Sequence, residues 1–148
     1  MSNDRIERET IIAAPLARVW SLVTEPGFWV TSEGNRTGAT AEVGALTVAR
    51  HEEHGEFPVR VLRVDPQRYV AYRWASAFAG AEPNEHNSTL VEFTLAEEGG
   101  KTRLRVVESG FAALGGPDEL RTKAFTDNTE GWSAVLEEVT ARAEQAQR

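Results

Sequence analysis

Residues 89–108 read Thr89-Leu90-Val91-Glu92-Phe93-Thr94-Leu95-Ala96-Glu97-Glu98-Gly99-Gly100-Lys101-Thr102-Arg103-Leu104-Arg105-Val106-Val107-Glu108. Val91, Phe93 and Leu95 alternate with Glu92 and Thr94, and Leu104 and Val106 alternate with Arg103 and Arg105. Side chains of a strand point to opposite faces in turn, so each run carries one dry face and one wet face. Between the runs, Gly99-Gly100 supplies the positive φ that a tight hairpin demands. Two half-buried strands joined by a hairpin predict an antiparallel sheet with one face in water.

Working toward the N-terminus, the same period recurs in Tyr69 to Trp74, Val59 to Val64 and Leu46 to His51. Gly55, Asp65-Pro66 and the loop from Gly80 to Asn87 punctuate these runs. Residues 31–44, rich in Gly, Thr and Asn, read as loop. Before them, Leu16, Val19, Trp20 and Val23 form an apolar stripe of helical spacing, opened at Pro15 and closed by Pro26, with Gly27-Phe28-Trp29 as a short apolar stub. Ile6 to Ile12 is a further half-buried strand in which Arg8 interrupts the inward row. Toward the C-terminus, Leu120, Ala124, Phe125, Asn128, Trp132, Val135, Leu136, Val139 and Ala143 recur at spacings of three and four. They predict one long amphipathic helix with Gly131 inside it. The order of strand, short helices, strands and long helix is that of an α+β domain, and the long helix is the element able to cover the dry face of the sheet.

Composition narrows the function classes. The 148 residues suit one domain spanning 1–148. Sixteen basic against 23 acidic residues leave a net charge of -7, which repels phosphate backbones and argues against a nucleic-acid partner. Cysteine is absent, so thiol chemistry and disulfides are excluded. No apolar run approaches the roughly 20 residues of a spanning helix, and the polar opening lacks a secretory core, so a cytoplasmic protein without a membrane partner is expected.

No motif announces catalysis or a cofactor. His51-Glu52-Glu53-His54 spaces its histidines by three, which in a strand sends them to opposite faces, so no metal site is expected there. A Gly-x-Ser-x-Gly elbow and a phosphate-binding lysine after Gly115-Gly116 are both missing. Glu108 differs: by parity with Leu104 and Val106 it faces the dry side, where a carboxyl must pair, be hydrogen-bonded or raise its pKa. It reads either as an acid/base or polar anchor in a cavity, or as a structural group, in an ion pair with Arg8 or Arg50 or at a strand end that is simply wet, and Arg50 carries the same functional and structural readings. The aromatic residues Trp20, Trp29, Tyr72, Trp74, Phe93, Phe125 and Trp132 all fall on inward positions or beside them, consistent with core packing or with the wall of a hollow.

Several segments resemble a known superfamily. Ile11-Ile12-Ala13-Ala14-Pro15 to Val19-Trp20, then Thr24-Glu25-Pro26 and Trp29, resembles the opening of START-like (SRPBCC) domains, and Val64 to Trp74 looks like their central segment. Thr89 to Leu95, Thr102 to Glu108-Ser109-Gly110-Phe111 and Gly131-Trp132 to Leu136 are similar to the branch homologous to the C-terminal domain of the activator of the ninety-kilodalton heat-shock chaperone ATPase. The resemblance implies a helix-grip fold, a curved antiparallel sheet around the C-terminal helix with a cavity for an apolar ligand between them. Carried onto this chain, it implies Trp20, Trp29, Tyr72, Trp74, Phe93 and Trp132 as cavity-lining residues, with Arg50 and Glu108 as polar anchors. The activator's separate N-terminal domain has no counterpart in these residues, so a chaperone partner is not expected.

The function expected is thus the binding of a small hydrophobic, lipid- or polyketide-like ligand, without cofactor or metal. Two alternatives stand beside it. One is a cyclase- or hydratase-type enzyme using Glu108 or a histidine as base in the same cavity; the other is a protein-interaction module, as a chaperone regulator or a homodimer.

Overall fold

A computed structural model describes residues 5–25, 28–29, 42–51, 55–78, 80–84 and 86–145. The hairpin at the centre of the sequence is the centre of the sheet. Strands β5 (Thr89–Glu98) and β6 (Lys101–Ser109) pair antiparallel, with Glu98 opposite Lys101 and both turn glycines at positive φ. Outward from β5 lie β4 (Tyr69–Trp74), β3 (Gly55–Asp65) and β2 (Leu46–His51), while β1 (Arg5–Ile12) pairs with the far side of β6. The six strands run in the order β1-β6-β5-β4-β3-β2, every neighbour antiparallel. β3 begins four residues before the run that the alternation marks, because its first residues pair with the edge strand β2 rather than forming the expected loop. Its register with β4 shifts between Val61 and Arg63, which leaves Leu62 as an extra residue. A bulge of this kind sharpens the local twist and bends the sheet.

Helix α1 (Leu16–Val23) starts after Pro15, whose carbonyl accepts from the N–H groups of Arg18 and Val19. It stops before Pro26, at Thr24, whose hydroxyl and N–H both donate to the carbonyl of Trp20. Helix α2 (Asp118–Gln145) lies on the inner face of the sheet and buries Ala124, Trp132, Leu136, Val139 and Ala143. These positions form one stripe at helical spacing, as the sequence predicts. The stripe meets Ile6, Ile12, Tyr72, Val91, Phe93, Leu104 and Val106 from the sheet and Val19, Leu22 and Val23 from α1 in a single core. Two long-range contacts hold the C-terminal half of α2 in place. Glu144 accepts from the Ala13 N–H at 3.0 Å, and the Arg142 carbonyl accepts from the Arg18 guanidinium at 3.3 Å. The result is the helix-grip architecture.

Candidate functional site: a buried carboxyl beneath an aromatic cluster

β6 carries Glu108 to a point directly opposite Val91, and β5 places Thr89 two residues further along the same inner face. Thr89 in turn lies opposite Trp74 at the end of β4. The alternation of three adjacent strands therefore collects a carboxyl, a hydroxyl and an indole on one patch of sheet. From above, α2 lowers Asn128 and Trp132 onto it, four residues apart and hence on one helix face.

Glu108 is fully buried. Its Oε2 accepts from Trp74 Nε1 at 3.0 Å, Thr89 Oγ1 at 2.5 Å and Asn128 Nδ2 at 3.1 Å. Oε1 accepts from Trp132 Nε1 at 2.6 Å and again from Asn128 Nδ2 at 3.1 Å. Asn128 also donates to Ser76 Oγ at 3.1 Å, which ties the network to the turn after β4. Burial pushes the Glu108 carboxyl above the usual carboxylate range, and the donors from Thr89, Trp132, Trp74 and Asn128 pull against that rise. Every one of these donors is neutral. The ion pair with Arg8 that the sequence allowed does not form, because Arg8 turns along the edge strand and donates to the Glu7 carbonyl. An ionised carboxyl offers about four acceptor positions, so this set of donors occupies all of them.

Next to the carboxyl lies an aromatic cluster whose centre is Trp29. The Trp29 ring centroid is 5.1 Å from that of Tyr72, 5.5 Å from Trp74, 5.7 Å from Trp132 and 5.8 Å from Phe93. Phe28 adds an edge-on contact at 5.4 Å and itself reaches Phe93 at 5.2 Å. Tilted and edge-to-face pairs at such separations are the favourable geometries of aromatic rings. Tyr72 is anchored by its hydroxyl, which donates to the Val23 carbonyl at 2.6 Å, and burial pushes its pKa far up. Trp74 and Trp132 are anchored by Glu108. The indole N–H of Trp29 alone in this group is buried without an acceptor.

Of the residues singled out in the sequence, Trp29, Tyr72, Trp74, Phe93, Trp132 and Glu108 come together here. Trp20 is half-buried against the main core and makes no ring contact among the described residues. Arg50 lies on β2 opposite Glu56 of β3 in the strand register, and its side chain lies outside the described residues, as do the side chains of His51-Glu52-Glu53-His54. Three partners escaped the sequence reading: Thr89, Asn128 and Ser76. Asn128 had a legible signal, a polar residue inside an otherwise apolar helical stripe. Thr89 had a weaker one, a hydroxyl in line with Val91 and Phe93. A separate open groove of about 490 Å³ runs between β1 and α2, lined by Arg8, Glu9, Thr10, Leu136, Thr140 and Glu144 among others. It lies outside the aromatic cluster.

A helix-gripped sheet with this terminal Glu108 and Trp132 invites comparison with known families, and the sequence matches the family described as "Activator of Hsp90 ATPase homolog 1-like protein" over residues 13–144. The chain belongs to that family. No curated protein matches the chain in sequence. Among solved structures, the family fold recurs in DynU16, a protein of the dynemicin biosynthetic locus, with a TM-score of 0.73 at 24% identity, covering 97% of this chain and 48% of that one. The chain thus spans about half the length of DynU16. Protein MLL2253 from Mesorhizobium loti is similar over 95% of this chain and 97% of its own, with a TM-score of 0.73 and 20% identity. The Aha1 dimer from Colwellia psychrerythraea matches with a TM-score of 0.71 at 18% identity, covering 95% of this chain and 96% of that one. At these identities the likenesses show the fold. No helix among the described residues is long and apolar enough to cross a membrane.

Proposed function

We propose that this protein binds a small apolar or amphipathic molecule between the inner face of the sheet and α2, in the cytoplasm and without a nucleic-acid or chaperone partner. One observation carries the reading: an aromatic cluster drawn from β4, β5 and α2 is centred on a residue, Trp29, that belongs to no regular element and whose buried N–H is unpaired. Tyr72, Trp74 and Trp132 around it are each anchored by a hydrogen bond, whereas the N–H of the central residue is not. Membership of the family and the likeness to DynU16, from a biosynthetic locus, support a lipid- or polyketide-like ligand. An enzyme reading is weaker, because a general base needs a free lone pair within reach of the reacting proton and those of Glu108 are engaged. The test is native mass spectrometry of protein purified from its own host, followed by a thermal-shift screen of apolar compounds. A retained small molecule, or a compound that raises Tm in proportion to its occupancy, upholds the reading. Protein that carries nothing and responds to no compound overturns it.

A second reading, homodimerisation, has an observation of its own. β2 is an edge strand, and Leu46 and Val48 on it are 39% and 41% exposed. An edge strand with apolar side chains is a template for pairing with another chain, and the similar Aha1 from Colwellia psychrerythraea is a dimer. Sedimentation of the wild type and of Val48→Lys tests it. A dimer that the substitution converts to monomer supports pairing through β2, and a wild-type monomer at all concentrations rejects it.

A further inference from the structure

Trp29 fills the centre of the aromatic cluster. Its ring contacts Tyr72 and Trp74 on β4, Phe93 on β5 and Trp132 on α2, at centroid distances between 5.1 and 5.8 Å. All four belong to regular elements, and three of them carry polar groups that are satisfied. Trp29 sits in the turn after α1, which is tied back by the Phe28 N–H to the Glu25 carbonyl at 3.0 Å. Its own N–H finds no acceptor although a carboxyl lies directly behind two of its ring neighbours. That carboxyl has no acceptor position left, since Trp74, Thr89, Asn128 and Trp132 fill it. A buried donor without a partner is unfavourable, so the slot holds an indole while penalising the indole N–H.

We infer that Trp29 is a displaceable plug, and that the slot beneath it receives a flat, two-ring aromatic group bearing no hydrogen-bond donor on its buried edge. The inference rests on the ligand-binding reading above and gives it a ligand class. Displacement restores the Trp29 N–H to water, and the incoming ring inherits the contacts with Tyr72, Trp74, Phe93 and Trp132.

Naphthalene and indole are the probes, the one a flat bicycle without a donor and the other the group that Trp29 itself presents. Titration of naphthalene into nitrogen-15-labelled wild-type protein is followed through the indole N–H resonances, with that of Trp29 identified by its absence in Trp29→Phe. The plug predicts that the Trp29 resonance moves to a solvent-exposed position while those of Trp74 and Trp132, held by Glu108, move little. Trp29→Ala is expected to bind naphthalene about tenfold more tightly than the wild type, because no plug competes. The preference for naphthalene over indole is expected to exceed their octanol partition ratio by about tenfold, the worth of one unpaired buried donor. Naphthalene binding to the wild type with the Trp29 resonance unmoved, or binding to Trp29→Ala alone, overturns the plug and leaves the ligand-binding reading intact. Binding to neither protein also overturns the plug, and a host-retained ligand would then still uphold the broader reading.

Discussion

Trp132 Nε1 donates to Glu108 Oε1 at 2.6 Å, joining the middle of the C-terminal helix to the end of the last strand. Together with the Trp74 bond to the other carboxyl oxygen at 3.0 Å, it makes Glu108 the post on which helix and sheet are registered. A single carboxyl with donors from β4, β5 and α2 specifies one docking of the helix, whereas apolar contacts alone tolerate sliding.

Removing the post is expected to be costly. Glu108→Ala strands two indole N–H groups, the Asn128 amide and the Thr89 hydroxyl, and leaves a cavity, for a loss of about 3–5 kcal/mol. Glu108→Gln retains acceptor capacity but turns an amide N–H₂ toward donors, for about 1–3 kcal/mol. Urea unfolding followed by far-UV circular dichroism measures both. A loss below 1 kcal/mol for Glu108→Ala would contradict the role assigned to it.

The pH dependence has a definite sign. The folded-state pKa of Glu108 lies above the ordinary carboxyl value of 4.5, so between those two values the folded protein holds a proton that the unfolded chain has released. Its contribution to stability is full below the ordinary value and is lost as pH rises through the folded-state value. Glu7 and Glu98, held below the ordinary range chiefly by hydrogen bonds from Arg105 and Arg103, act in the opposite sense but are surface groups. The stability of the wild type relative to Glu108→Gln is therefore expected to fall as pH rises above 4.5. Unfolding curves of both proteins in matched buffers from pH 4 to 8 check this.

Tyr72→Phe removes the hydroxyl that the Val23 carbonyl accepts from at 2.6 Å, in a fully buried setting at the C-terminal end of α1. The orphaned carbonyl is expected to cost about 1–2 kcal/mol without loss of the fold. A change in urea midpoint at unchanged slope is the expected signature.

Gly131→Ala is expected to stabilise. A Cβ built at Gly131 meets nothing within 4 Å, and the helix runs through this residue from Asp118 to Gln145. Replacement gains about 0.5–1 kcal/mol of helix propensity, read as a rise in Tm.

The amino-acid sequence alone determined the strands, the long helix and the inward facing of Glu108. Those features follow from periods of two and 3.6 residues, which depend on neighbours a few positions away. The six-stranded order follows less directly, since β1 crosses to β6 only because Ile6 and Ile12 must share a core with Leu104 and Val106. What closes on Glu108 was decided by the tertiary structure. Thr89 reaches it through strand register, and Asn128 and Trp132 through the rotation of α2, and both are set by the packing of the whole core. Neutral donors, not the Arg8 that one reading of the sequence allowed, satisfy Glu108, and they avoid the cost of desolvating a guanidinium beneath the helix. Trp29 was the least legible of all. It lies in a turn without period, and its place at the centre of the aromatic cluster exists only once β4, β5 and α2 have come together around it.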